Sequence, residues 1–133
     1  MARRIDGERK LTELDFSRLQ KMTMAGHLPE LAELLAEAEV LPGRDMPPDV
    51  VTMYAQVEVQ EPKTRARQTL VLCYPFDADP GAGQISVLSP VGLGLLGQQA
   101  GAVARWRTPN GDDHAAQVLA VLFQPEAAGD YVT

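Results

Sequence analysis

The apolar positions of this chain change period along its length, and each change marks a new kind of element. At residues 28–41 they recur every three or four positions, through Leu28, Leu31, Leu34, Leu35, Ala38 and Leu41. That spacing predicts an amphipathic helix over 29–41, with Pro29 in its first turn. A shorter helix over about 15–24 precedes it: Asp15 suits the N-cap, Phe16, Leu19 and Thr23 share a face, and Ala25-Gly26-His27-Leu28 is a tight break. From Val51 the period becomes two. Val51, Met53, Ala55, Val57 and Val59 alternate with polar neighbours, the pattern of a half-buried strand. Residues 65–74 form a second strand centred on Leu70, Val71, Leu72 and Cys73, and 84–88, 102–108 and 115–124 form three more. The last two are joined at Pro109-Asn110-Gly111-Asp112 by a hairpin turn.

The breaks between patterns divide the chain. Residues 1–42 make an antiparallel helical hairpin with a polar, frayed lead-in at 1–10 and a short extended piece at 11–14. Residues 43–49, in a stretch holding three prolines and a glycine within 42–48, are a linker. Residues 50–133 are a globular unit of order β-β-β-helix-β-β, and 125–133 trail as a tail. The fold class is α+β, an antiparallel sheet with one short helix on a face.

That short helix is the segment around which the rest is arranged. Ser89 is placed to cap it and Pro90 occupies its first position. Gly92, Gly94 and Gly97 each cost a helix about 1 kcal/mol relative to alanine. Three of them in so short a helix imply that another backbone, or a partner, comes close. The spacing Gly92-x-Gly94-x-x-Gly97 copies a dinucleotide fingerprint by letter, but no βαβ unit surrounds it and the glycines follow the proline inside the helical pattern.

Charge and chemistry narrow the picture further. The formal net charge of −6 argues against direct binding to nucleic acid. Glu30, Glu33, Glu37 and Glu39 line one face of the second helix without compensating bases, which reads as a solvated surface or as an attraction for a basic partner. Trp106 alternates with Arg105 and Arg107, so a core tryptophan beside two solvated arginines is expected. The single cysteine, Cys73, sits in an apolar strand and reads as a buried, inert thiol, and with only His27 and His114 besides, no metal-ligand spacing appears. No apolar run approaches a membrane span, and no cofactor is implied, so a cytoplasmic location is expected.

Two stretches carry a resemblance. ISVLSPVGLGLLGQQAG at 85–101, with RTPNG at 107–111, resembles the C-terminal domain of the bacterial Gre transcript-cleavage factors. DVVTM at 49–53 and FQPEAAGDY at 123–131 are more similar still to a branch of that family called regulators of nucleoside diphosphate kinase. The similarity runs through nearly the whole chain from about Leu11. It implies an FKBP-like C-terminal fold and a short coiled-coil hairpin, which together bind RNA polymerase at the rim of its secondary channel. Ser89 and Pro90, with Leu88 and Val91 beside them, occupy the position of the Ser-Pro pair that docks on that rim. Leu88 stands where Gre factors can carry an acidic residue.

Gly26-His27-Leu28-Pro29-Glu30-Leu31-Ala32-Glu33 resembles the Gre tip, in which an aspartate and a following glutamate help hold magnesium for transcript hydrolysis. His27 occupies the aspartate position, which removes an oxygen ligand, and the hairpin is shorter than a Gre hairpin. The resemblance therefore implies a monomeric, non-catalytic regulator that competes with Gre-type factors and meets DNA only through the polymerase. Nucleoside diphosphate kinase levels would respond indirectly. The alternatives are an active cleavage factor using Glu30 and Glu33, a direct regulator of the kinase, or a prolyl isomerase, which the 5% aromatic content disfavours.

Overall fold

A computed structural model describes residues 9–132. Of the lead-in expected to be frayed, residues 1–8 lie outside the described residues. Arg9 and Lys10 do not fray. The Arg9 carbonyl accepts from the Glu39 N–H at 2.8 Å, and the Lys10 N–H donates to Gly97 O at 3.1 Å.

Strand β1 (Lys10–Thr12) runs directly into helix α1 (Glu13–Ala25). Thr12, not Asp15, is the N-cap: its hydroxyl accepts from the Asp15 N–H at 3.0 Å. Asp15 stands inside the first turn and is buried. Gly26 to Leu28 join α1 to α2 (Pro29–Glu37), and the two helices pack on each other. The second helix stops four residues short of Leu41. Ala38 is extended, and Glu39–Leu41 form strand β2, parallel to β1. Leu41 precedes Pro42, which disfavours helix there, and the pairing with β1 supplies the backbone bonds that a longer helix would have made.

The main sheet comprises β3 (Gln56–Gln60), β4 (Arg67–Cys73), β5 (Gln84–Ser86), β6 (Val103–Arg107) and β7 (Asp113–Phe123), in the order β5-β4-β3-β7-β6. It is not wholly antiparallel, because β4 and β5 run parallel. Residues 74–83, with 3₁₀ turns at Pro75–Asp77 and Pro80–Ala82, carry the chain back to the level of Val71, so that β5 pairs with the last three residues of β4. The first strand of this sheet is also shorter than its pattern. Val51, Met53 and Ala55 are buried as the alternation requires, but Tyr54 adopts φ 67°, which interrupts the strand before Gln56.

Register shifts between β3 and β7, at Gln56/Val57 and Glu58/Val59, bend the sheet. It curls far enough that its two edge strands, β5 and β6, both touch helix α3 (Pro90–Leu95). That helix covers edges that would otherwise invite pairing with another chain. Leu11, Leu19 and Leu31 from the helical part join Val57, Leu72, Leu95 and Val118 in one apolar cluster.

The expected linker and tail are both pinned. The Gln124 amide donates to Pro47 O at 2.8 Å and to Val50 O at 2.9 Å, and Met46 is buried. The chain beyond β7 folds into turns closed by Gly129 N–H to Glu126 O and Asp130 N–H to Pro125 O. Arg18 of α1 then donates to Val132 O at 3.2 Å. Among the described residues no helix is long and apolar enough to cross a membrane.

Candidate functional site

The site grows from the end of β5. Ser89 Oγ donates to Ser86 O at 2.7 Å and accepts from the Gly92 N–H at 3.0 Å, so its hydroxyl is used inside the turn, as the cap that the sequence suggests. Ser86 Oγ in turn accepts from the Leu88 N–H at 3.1 Å. Pro90 is exposed, and Leu88, Ser89 and Val91 are half-buried. The outward face of the Ser-Pro turn is therefore Pro90, flanked by Leu88 and Val91.

The three glycines serve three different approaches of backbone. A Cβ on Gly92 would overlap Ser86 O at the end of β5. One on Gly94 would lie 3.3 Å from Arg105 O and 3.2 Å from the Trp106 ring on β6. Gly97, at φ 77°, faces Lys10 O at 3.0 Å. The close approach anticipated from the sequence thus exists at every one of them, and its cause is the chain's own backbone. Arg9 adds two bonds from its guanidinium, to Leu93 O at 2.8 Å and Leu96 O at 2.7 Å.

Between α2 and the α3–β6 face runs a groove of about 640 Å³. Glu30, Glu33, Leu34 and Glu37 line it from α2; Leu88, Pro90 and Leu93 from the Ser-Pro segment; Arg105, Trp106 and Arg107 from β6. Two sets of candidates that lie about sixty positions apart in the chain, Glu30 and Glu33 with Leu88 and Pro90, are brought to one place. Gly26 and His27 are exposed and lie outside the groove lining, and Leu28 packs on the apolar core.

Trp106 qualifies an expectation. It packs against the core, as expected of a core tryptophan, but only in part: it is half-buried at the groove, against Gly94, with the His114 ring stacked on it at 6.1 Å. Arg105 and Arg107 are exposed, as expected for their strand face, yet both line the groove because β6 is an edge strand. Sequence alternation places them on a face but does not say what that face meets. The Gly94 spacing is the one signal that pointed to a close neighbour there.

The tip donors do not fit a magnesium ion. Among the described residues no three His, Cys, Asp or Glu side chains come together as ligands, and Glu30 lines a groove that His27 does not reach. Cys73 is buried, with Sγ 3.6 Å from Ile85 O, and burial pushes its thiol up, which suits an inert side chain.

Sequence reasoning missed the most perturbed carboxylate. Asp15 Oδ2 accepts from the Met53 N–H at 3.1 Å, fastening α1 to the segment that enters β3. Burial pushes Asp15 up to about 7, with Glu126 adding in the same direction, against the hydrogen bonds from Met53 and Thr12 and the charge of Arg18. Thr12-x-x-Asp15 carried the signal as a capping-box spacing.

Residues 46–123 match the family described as "Transcription elongation factor, GreA/GreB, C-term". The chain is 36% identical over 129 residues to a protein of Escherichia coli (strain K12) named "Regulator of nucleoside diphosphate kinase", covering 92% of this chain and 94% of that one. It is 31% identical over 111 residues to "Transcription elongation factor GreA" of Acidiphilium cryptum (strain JF-5), covering 84% of this chain and 70% of the relative. Among solved structures, "Prokaryotic transcription elongation factor GreA/GreB from Nitrosomonas europaea" superposes with a TM-score of 0.73 at 31% identity, over 87% of this chain and 98% of that one.

Proposed function

The chain belongs to the GreA/GreB family of transcription elongation factors, and from that membership we propose that it is a non-catalytic regulator of RNA polymerase. On this reading α1 and α2 form a short antiparallel hairpin and the curled sheet with α3 is FKBP-like. The protein acts in the cytoplasm as a monomer. It docks at the rim of the secondary channel in competition with Gre-type factors and touches nucleic acid only through the polymerase. The observation that carries the proposal is the Ser-Pro turn, which holds Pro90 outward on a rigid frame at the mouth of a groove. Every polar atom of Ser89 is used to shape that frame, so docking falls to Pro90, Leu88 and Val91.

The absence of hydrolytic activity rests on the tip. His27 replaces an oxygen donor with nitrogen, and Glu30 faces the groove lining. The chain leaves β1 at Thr12 and returns in β2 at Glu39, and the two helices between them, of 13 and 9 residues, reach only roughly 20 Å and 14 Å at about 1.5 Å per residue. The kinase named in the E. coli relative is affected, in this proposal, through transcription.

The test is displacement of a labelled Gre factor from core polymerase. Wild-type protein should displace it, and Pro90→Tyr, which adds uncharged bulk at an exposed first-turn position, should weaken displacement by about tenfold or more. A transcript-cleavage assay on stalled complexes should give no product above the polymerase alone. No displacement at any ratio, or cleavage that is lost in Glu30→Gln, would overturn the proposal.

A further inference from the structure

We infer that the groove between α2 and β6 takes a polypeptide segment of the polymerase that carries a basic side chain to Glu30 and Glu33 and an acidic one to Arg105. The inference rests on the polymerase-binding reading and adds the chemistry of what is bound. Its ground is which charges in the groove already have work inside the fold. Arg9 holds two carbonyls of the α3 segment, and Arg107 Nε pairs with Asp113 Oδ1 at 3.0 Å. The side chains of Glu30, Glu33 and Arg105 have no hydrogen bond or ion pair, and none of the ion pairs between described residues bridges the two walls.

Among the described residues the walls thus carry opposite sign without being bridged. Glu30 and Glu33, three positions apart on α2, are neighbours on one helix face, and like charges at that spacing repel. A lysine or arginine between them relieves the repulsion. Arg105 on the facing wall asks for a carboxylate in the same segment. An occupant entered in reverse would meet like charge on both flanks, so the pair of walls selects direction as well as composition. Leu34, Leu93 and Trp106 between the walls receive an apolar side chain. A nucleic-acid strand is the wrong occupant, because its phosphates would lie against the two carboxylates.

The experiment is the same displacement assay, run with Glu30→Lys/Glu33→Lys and with Arg105→Glu at low and moderate salt. The double variant should lose about tenfold or more at low salt, with a flattened salt dependence, and Arg105→Glu a smaller, additive part. Asp79→Lys/Asp112→Lys changes net charge by the same amount at exposed positions outside the groove, and should stay within about twofold of wild type. Glu30 and Glu33 are exposed, so circular dichroism should report an intact fold. If the lysine pair fails to fold, Glu30→Gln/Glu33→Gln carries the test, with roughly threefold loss expected. Binding by the lysine pair equal to the Asp79/Asp112 control, while Pro90→Tyr is impaired, overturns the groove chemistry and leaves the docking proposal standing. Failure of wild type to bind polymerase overturns both. Saturable binding of a single-stranded oligonucleotide that is lost in Arg105→Glu would replace the peptide with nucleic acid.

Discussion

Gly92→Ala is expected to unfold the protein or bring it close to unfolding. In an ordinary helix the same change stabilises by about 1 kcal/mol. Here the new methyl group meets main chain: it overlaps Ser86 O and lies 2.8 Å from the Ser86 carbonyl carbon and 2.9 Å from Val87 Cα. None of these atoms is the end of a flexible side chain. Either α3 lifts away from β5 or β5 leaves the sheet. Overpacking of this kind costs about 3 kcal/mol, a large part of a typical stability of roughly 5–15 kcal/mol. Urea unfolding followed by Trp106, the single tryptophan, reports it directly. Gly26→Ala is the matched control, since its Cβ would find only Met22 O at 4.0 Å, and should shift the midpoint little. A Gly92→Ala midpoint equal to that of wild type would mean that α3 is not seated against β5 as described.

Asp15→Asn is expected to stabilise the protein at pH 8 and to do little at pH 4. The Asp15 carboxyl is raised from its ordinary 3.8 to about 7, chiefly by burial, so folding favours the protonated form. The sign follows. The contribution of neutral Asp15 is fully present below about 3.8, declines as the unfolded chain ionises, and is gone once pH passes about 7. The span between those values corresponds to roughly 4 kcal/mol. Asparagine keeps an acceptor for the Met53 N–H and carries no charge beside Glu126. Midpoints of wild type and variant, measured from pH 4 to 8.5, should diverge as pH rises. Parallel curves would show that Asp15 does not titrate in that window. Asp15→Leu should be destabilising at every pH, because it leaves the Met53 N–H buried without an acceptor.

What could be read in advance follows from the range of each interaction. The order of strands around α3, the Ser89 cap and the Asn110-Gly111 turn are local features, and local chemistry specifies them. The close approach at Gly92, Gly94 and Gly97 was also legible, although not which backbones would approach. Strand β2 was not legible. Three residues are too few to show a period, and their partner Lys10–Thr12 lies on the far side of two helices. Asp15 was misread because capping preference looks the same for a cap residue and for a carboxylate three positions into the helix; only Met53, 38 residues away, decides between them. The groove was half legible. Glu30, Glu33, Leu88 and Pro90 were candidates on separate grounds, while Arg105 and Trp106 joined them through the curl of the sheet, which a strand pattern does not encode.

The seating of β1 has a consequence for synthesis on the ribosome. The first described strand is bonded to Gly97, its neighbour Arg9 reaches Leu96 across 87 positions, and Arg18 reaches Val132 across 114. Helices α1 and α2 therefore leave the ribosome well before the residues that complete their contacts, Leu96, Gly97 and Val132. Until then Leu11, Leu19 and Leu31 lack the sheet residues that cover them in the finished molecule. A nascent chain arrested before residue 97 should accordingly bind a hydrophobic-site chaperone that the released protein ignores.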